Sequence, residues 1–183
     1  MIHNDHVDLL RDGVPGPGGV WADFGAGSGA FTLALAELIG PGGEIFAIDR
    51  DAMALRAQEM AFRAQPAEKE SFMHFLLADY TSLLHLPPLD GAVMANALHF
   101  QQRKVDILWQ ISTYLKPGAT LILVEYNVDR GNLWVPYPIS FPCWEALANS
   151  FGFVNTRLLA TKPSRFLHEI YSAFSVKSGE ARS

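Results

Sequence analysis

The sequence predicts an α/β protein built on a doubly wound, mostly parallel sheet, and three observations carry that expectation. Strand-sized apolar runs alternate with amphipathic helical stretches from residue 20 to residue 125, the pattern of parallel strands joined by right-handed helical crossovers. The first apolar run opens directly into a helix through three alternating glycines, Gly25, Gly27 and Gly29. Carboxylates stand at the tips of successive runs, at Asp23, Asp49 and Asp79, where an open α/β sheet places its ligand.

Residues 20 to 24 form the first strand and Ala30 to Ile39 the first helix after it. The glycines between them take backbone angles barred to residues with a Cβ, so the chain bends sharply and lies flat against a ligand. Ser28 and the glycine N–H groups are expected to face that ligand at the helix N-terminus. Asp23, a carboxylate just before the turn, repels pyrophosphate and suits an ammonium, which favours an amino-acid-bearing cofactor. Gly25, Gly27 and Ala30 nevertheless also satisfy the dinucleotide fingerprint in its Gly/Ala form, so the glycines alone leave both cofactors open.

Gly40-Pro41-Gly42-Gly43 stops the helix, and Glu44 to Ile48 reads as a second strand ending in Asp49. That acid lies about 20 residues beyond Gly29, the spacing at which a nucleotide-binding sheet chelates ribose hydroxyls. Asp51 is an N-cap for a helix to about Gln65 closed by Pro66, with Leu55, Glu59 and Phe62 along one side. Phe72 to Ala78 is a third strand, followed by Asp79-Tyr80, and Pro87-Pro88 precedes a fourth, Asp90 to Ala95. Val105, Leu108, Trp109, Ile111 and Leu115 recur at helical spacing until Lys116-Pro117-Gly118. A fifth strand then runs from Thr120 to Glu125. The end of the chain breaks the alternation. A turn-rich aromatic segment, Tyr126 to Pro142, leads to a short helix, Trp144 to Phe151, and two extended runs, Phe153 to Ala160 and Phe166 to Lys177. The connection between those runs, Thr161 to Arg165, is too short for a parallel crossover, so they pair antiparallel.

At 183 residues the chain reads as a single domain over 1–183, with a short lead-in at 1–19 and a frayed tail at 178–183. No block is left for the second domain a dinucleotide oxidoreductase normally uses for its substrate. The net charge of -5 with 14 scattered Lys and Arg argues against nucleic acid, whose phosphates are held by clustered basic side chains. Apolar stretches such as Leu121 to Val124 fall far short of the roughly 20 residues of a membrane helix. The single cysteine, Cys143, excludes an internal disulfide and suits a reducing compartment. The polar, acidic start lacks the basic and apolar regions of an export signal, and a cytoplasmic protein is expected.

Taken in order, Ala-Asp-Phe-Gly-Ala-Gly-Ser-Gly at 22–29, Ala-Ile-Asp-Arg-Asp at 47–51, Leu-Ala-Asp-Tyr at 77–80 and Leu-Lys-Pro-Gly-Ala-Thr-Leu-Ile-Leu-Val-Glu at 115–125, with a closing Phe-Gly-Phe and hairpin, make the chain resemble the class I S-adenosylmethionine-dependent methyltransferases of small-molecule type over nearly its whole length. The resemblance implies a Rossmann-like seven-stranded sheet of order 3-2-1-4-5-7-6 with an antiparallel last strand. It also implies S-adenosylmethionine as cofactor and roles for particular residues. Gly25, Ala26, Gly27 and Gly29 would pack against the methionine and ribose, with Asp23 near the ammonium. Asp49 would take the ribose hydroxyls and Arg50 flank the adenine. Asp79, beside Tyr80, would accept from the adenine amino group, and Asn96 would contact the methionine backbone and face the substrate.

The expected function is methyl transfer from that cofactor to a small-molecule substrate, with a non-catalytic cofactor-binding or scaffold protein and an NAD(P)-dependent reductase as the alternatives. No catalytic residue is assigned. A methyl on a sulfonium is already activated, so holding the nucleophile in line supplies most of the catalysis. Asn96-Ala-Leu-His99 differs from the Asn/Asp-Pro-Pro-aromatic motif of the family's nucleic-acid amino-methylating members. His99, past the fourth strand, is placed to assist deprotonation, but also reads as a surface or packing histidine. Cys143 reads as inert packing rather than a nucleophile. His3, Asp5 and His6 read as a mobile terminus rather than a metal site. Trp134, Tyr137, Phe141 and Trp144 either wall an apolar pocket or pack the core. The short lead-in supplies only a partial lid, so either a second copy of the chain, as a homodimer, covers the site or it stays open.

Overall fold

In the computed structural model, which describes residues 1–64, 72–164 and 166–179, the chain begins with a helix, α1 (His3–Arg11), that was expected to be mobile. Val7, Leu9 and Leu10 are its buried face, and they anchor it against the second helix and the sheet. The strands that follow are β1 (Gly19–Phe24), β2 (Gly43–Asp49), β3 (Phe72–Leu77), β4 (Leu89–Ala95), β5 (Leu115–Tyr126), β6 (Phe153–Pro163) and β7 (Glu169–Lys177). They form one sheet in the order β3-β2-β1-β4-β5-β7-β6. The first five are parallel, and β7 pairs antiparallel with both β5 and β6. The expected fold class and strand order are both present.

Helices α2 (Ala30–Ile39), α3 (Ala52–Arg63), α4 (Lys104–Tyr114) and α5 (Phe141–Ser150) complete the fold. Two apolar layers, one on each face of the sheet, make the core. Trp21, Phe31, Leu35, Val93 and Ile122 belong to one, and Phe24, Met94, Leu108, Leu121 and Trp144 to the other. Burial on both faces is why β1, β4 and β5 read as near-continuous apolar runs instead of alternating. Asp51 caps α3 as expected, its Oδ1 accepting from Met53 N and Ala54 N. The expected end of that helix at Gln65 and Pro66, Arg165 of the expected connection between the last two strands, and the tail from residue 180 lie outside the described residues. Ser178 is not frayed, since its N–H donates to Gly152 O at 3.0 Å.

Of the boundaries that differ from the sequence reading, among them the end of β6 at Pro163 instead of Ala160 and the start of β7 at Glu169 instead of Phe166, two have identifiable reasons. α5 starts at Phe141 rather than Trp144 because Pro142 occupies the first turn, where its missing N–H removes no helical bond. β5 starts at Leu115 and runs through Lys116-Pro117-Gly118. The ladder absorbs these residues by a register shift, Leu89 facing Leu115 and Gly91 facing Thr120, with Gly118 at φ +81°.

The chain builds outward from β1 to β3 and then returns to place β4 on the other side of β1. Strand order reverses there, so the carboxyl ends of β1 and β4 diverge and leave a crevice between the loops that follow them.

Candidate active site

The turn after β1 is held by β2. Gly25 N and Ala26 N both donate to Ile48 O, at 2.9 and 3.0 Å, and Gly29 N donates to Ala26 O at 2.9 Å. Gly27 N donates to Asp49 Oδ2 at 2.7 Å. The amides at 25–27 and 29 are therefore spent on shaping the loop, contrary to the expectation that they face a ligand. A pyrophosphate relies on such free N–H groups, and the loop retains few of them. What the turn offers instead is clearance: at Gly27, with φ +53°, a Cβ would meet nothing within 4 Å.

That clearance opens into a cleft of about 230 Å³ at the crevice. Gly25 and Gly27 floor it, Asp49 and Arg50 stand on the β2 side, and Asp79, Tyr80 and Asn96 close it from β3 and β4. Asp49 Oδ1 accepts from Asp51 N at 2.8 Å, so each of its oxygens has one protein donor and retains a lone pair for a ligand hydroxyl. Asp79 Oδ1 accepts from Thr81 N and Thr81 Oγ1 at 2.9 and 2.7 Å. Those bonds, with Arg50 nearby, hold its carboxyl below the usual range, and Oδ2 is left to accept from an amino group. Tyr80 donates its hydroxyl to Ala97 O at 2.9 Å and accepts from Gln101 Nε2 at 3.1 Å, which fixes the ring as a wall. Asn96 sits in the left-handed region at φ 51°, a conformation Asn tolerates better than other side chains. Its Oδ1 is buried without a partner. Such an orphan is costly unless a ligand satisfies it.

Three of the ten residues named from the sequence lie off the walls of this cleft. Ala26 is buried in the turn. Gly29 caps α2 at φ +89°, and a Cβ there would collide with Gln58 of α3, so it is glycine for helix packing. Asp23 is 1% exposed. Its Oδ2 accepts from Thr32 Oγ1 at 2.6 Å, while Oδ1 is buried and unpartnered. Burial, aided by the Asp49 charge, pushes its carboxyl up to about 7, and the Thr32 bond opposes the rise.

His99, left between two readings by the sequence, is half of a buried acid–base pair. Its Nδ1 lies 3.0 and 3.1 Å from the two carboxylate oxygens of Glu125. Glu125 also accepts from His99 N at 2.9 Å and Tyr126 N at 3.1 Å. A carboxylate already taking two backbone donors needs a third donor rather than an acceptor, which assigns the proton to Nδ1 and leaves Nε2 as the basic nitrogen. The ring stands 4.2 Å from that of Phe100, itself a wall of the cleft. Sequence reasoning missed Glu125, Phe100, Ala97 and Gln101. The available signal for Glu125 was its position at the end of the strand beside the one that delivers His99.

The remaining candidates disperse. His3 Nε2 lies 2.8 Å from Glu37, His6 packs edge-on against Phe31, and Asp5 accepts from Lys162, so the terminus is docked, not mobile. Cys143 is exposed on α5 rather than packed. Trp144 is core, Phe141 packs beside it, and Trp134 and Tyr137 are exposed. None of the four reaches the cleft.

Comparison with known proteins gives the family and the fold. The family described as "Methyltransferase domain" matches residues 22–121, a span holding the glycine turn, Asp49, Asp79, Asn96 and His99. An arsenite methyltransferase of Aquipseudomonas alcaligenes is 26% identical over 177 residues, covering 87% of this chain and 50% of its own length; the chain thus spans half of that relative. Among solved structures, a SAM-dependent methyltransferase from Methanosarcina mazei superposes with a TM-score of 0.70 at 20% identity, covering 98% of this chain and 99% of its own. A Haemonchus contortus phosphoethanolamine N-methyltransferase in complex with S-adenosylhomocysteine has a TM-score of 0.74 at 15% identity, over 97% of this chain and 53% of its own. The open cradle at Gly27, the orphaned Asn96 Oδ1 and the spare acceptors of Asp49 and Asp79 fit an adenosyl amino acid. By fold, cofactor chemistry and family match alike, the chain belongs to the methyltransferase-domain family of class I S-adenosylmethionine-dependent enzymes.

Proposed function

We propose that this methyltransferase alkylates a small molecule whose acceptor atom is a weak acid, and that His99 removes its proton. The observation that carries the reading is the buried His99–Glu125 pair against the wall of the cofactor cleft. When bound, the cofactor would supply an electrophilic methyl group on a sulfonium, with the S–C electron pair staying on sulfur. In the proposed site Asp49 and Asp79 hold the nucleoside end, and Asn96 offers its unpartnered Oδ1 to the amino-acid end. His99 Nε2 takes the acceptor proton, and Glu125 stabilises the resulting imidazolium through Nδ1–H. Sealing both groups from water strengthens these contacts. Arsenite, the substrate named for the relative, fits this chain poorly: trivalent arsenic is a soft centre that calls for several thiolates, and Cys143 is the sole cysteine of the sequence. Among the described residues no helix is long and apolar enough to cross a membrane. The lone free thiol supports the cytoplasm as the place of action.

Titration calorimetry with S-adenosylhomocysteine, paired with a methyl-transfer assay over a panel of phenols and β-dicarbonyl compounds, tests the reading. His99→Gln is expected to bind the cofactor product as the wild type does and to lose about 10²- to 10⁴-fold in kcat. A variant with wild-type turnover removes His99 from the chemistry. Heat from NADH and none from S-adenosylhomocysteine overturns the whole assignment.

A further inference from the structure

Lys104 is the first residue of α4, and no side chain caps that helix. Helix physics does not ask for a lysine there, because the N-terminal end carries the positive pole of the macrodipole and favours acids. What Lys104 serves lies outside the helix. Its Nζ donates to Gln101 O at 2.9 Å and to Tyr137 O at 2.6 Å, so it straps the loop after β5 to the segment that carries His99. Tyr137 is thereby held through both of its backbone groups, since its N–H donates to His99 O at 2.9 Å. His99 is in turn fixed at three points, its carbonyl by Tyr137 and its N and Nδ1 by Glu125.

The strap also fixes a charge. Glu125 is fully buried. Tyr80, Tyr126 and Tyr171 are held as neutral phenols by burial, and the Glu125 charge raises them further. Burial holds Lys104 below its ordinary value, and the Glu125 charge opposes that fall, so ammonium and carboxylate feel one another although the bonds of Lys104 go to carbonyls. The rings packed on His99, those of Phe100 and Tyr126, bring no charge of their own. A buried carboxylate on Nδ1–H favours the imidazolium, and a ring protonated on both nitrogens has no lone pair left to act as a base. A cation held close by works against that outcome.

Resting on the methyl-transfer reading above, we infer that Lys104 is a positioning residue for His99: strapped to the Gln101 and Tyr137 carbonyls, its ammonium offsets the Glu125 charge and keeps the imidazole neutral, so that Nε2 can take the acceptor proton. The test is an NMR titration of the full chain labelled with ¹⁵N-histidine, in which the His99 ring is the signal lost in His99→Gln. In Lys104→Met, which keeps a good helix former in α4, that ring should take up its proton at a pH higher than in the wild type by about 0.5–1, the effect of one partly screened unit charge. Lys104→Arg should restore the wild-type curve. Arg103→Met, which removes an exposed cation paired with Asp106, should leave it unchanged. For any acceptor the panel identifies, kcat of Lys104→Met should fall about three- to tenfold on the acid side of the profile and recover as the pH rises. A His99 ring that titrates alike in wild type and Lys104→Met, or in neither, overturns the inference, as does a loss of kcat equal at every pH. The titration needs no substrate, so it judges Lys104 by itself, whereas S-adenosylhomocysteine calorimetry on the same samples judges the methyltransferase reading.

Discussion

Asp49 holds two things at once. Its Oδ2 fixes the glycine turn through Gly27 N, and its Oδ1 fixes the approach to α3 through Asp51 N. The ribose that it is proposed to bind would use the lone pairs left over. Asp49→Ala should therefore weaken S-adenosylhomocysteine binding by about 2–3 kcal/mol for two charge-assisted bonds, roughly 30- to 150-fold in the calorimetric Kd, and an unchanged Kd rejects the role. Residues of this kind were legible because they stand where strands end: Asp49, Arg50, Asp79, Tyr80 and Asn96 follow apolar runs directly and all reach the cleft. Asp23 follows the same rule in sequence but turns inward to Thr32, and position relative to a strand end does not distinguish the two directions. Glu125 was hidden for the opposite reason. Nothing local connects it with His99, and only the β4–β5 register, which sets Ala95 beside Val124, brings the two together.

At the scale of elements, strands buried on both faces announce themselves by composition, and a short polar helix does not. α1 is His-Asn-Asp-His-Val-Asp-Leu-Leu-Arg, with three apolar residues in nine, too few for a periodic pattern to stand out from a turn-rich lead-in. Its stability comes from docking, which is the usual source for short helices. Leu10 is fully buried in the layer it shares with Phe31 and Leu35. Leu10→Ala is expected to destabilise the protein by about 2–5 kcal/mol through lost transfer energy and a residual cavity, read as a lower urea midpoint. S-adenosylhomocysteine affinity should be held under native conditions, because α1 supplies no wall of the cofactor cleft. If affinity falls with the midpoint, α1 is part of the cofactor site rather than a brace. The boundary errors share a physical origin. Pro117 was read as the end of a helix and Pro142 as the last residue of the turn-rich segment before one, yet Pro142 sits where a helix does not need its N–H and Pro117 where the ladder shifts register.

For the whole molecule, Asp23 links folding to pH, and an ammonium bound near it would link both to the ligand. The unfolded chain releases this proton near 3.8, whereas the folded chain holds it up to about 7. Between those values the folded state binds more protons than the unfolded one, so raising the pH across the window removes stability, and above it the contribution is constant. A shift of that size corresponds to a loss on the order of 4 kcal/mol from one end to the other. Asp23→Asn keeps a carbonyl oxygen for Thr32 and removes the titration, so its stability relative to wild type should climb from pH 4.5 to 7.5 in urea unfolding. A parallel pair of curves would show that Asp23 ionises normally in the folded state. Binding of a cofactor ammonium near Asp23 changes the same equilibrium in the other direction, because a cation favours the carboxylate and lowers its pKa. At pH 6 the site should then release a proton on taking up S-adenosylhomocysteine, seen as a binding enthalpy that depends on the ionisation heat of the buffer, and Asp23→Asn should lose that dependence. Equal enthalpies in all buffers for the wild type would place the ammonium elsewhere and leave Asp23 as a buried strut for Thr32 and the start of α2.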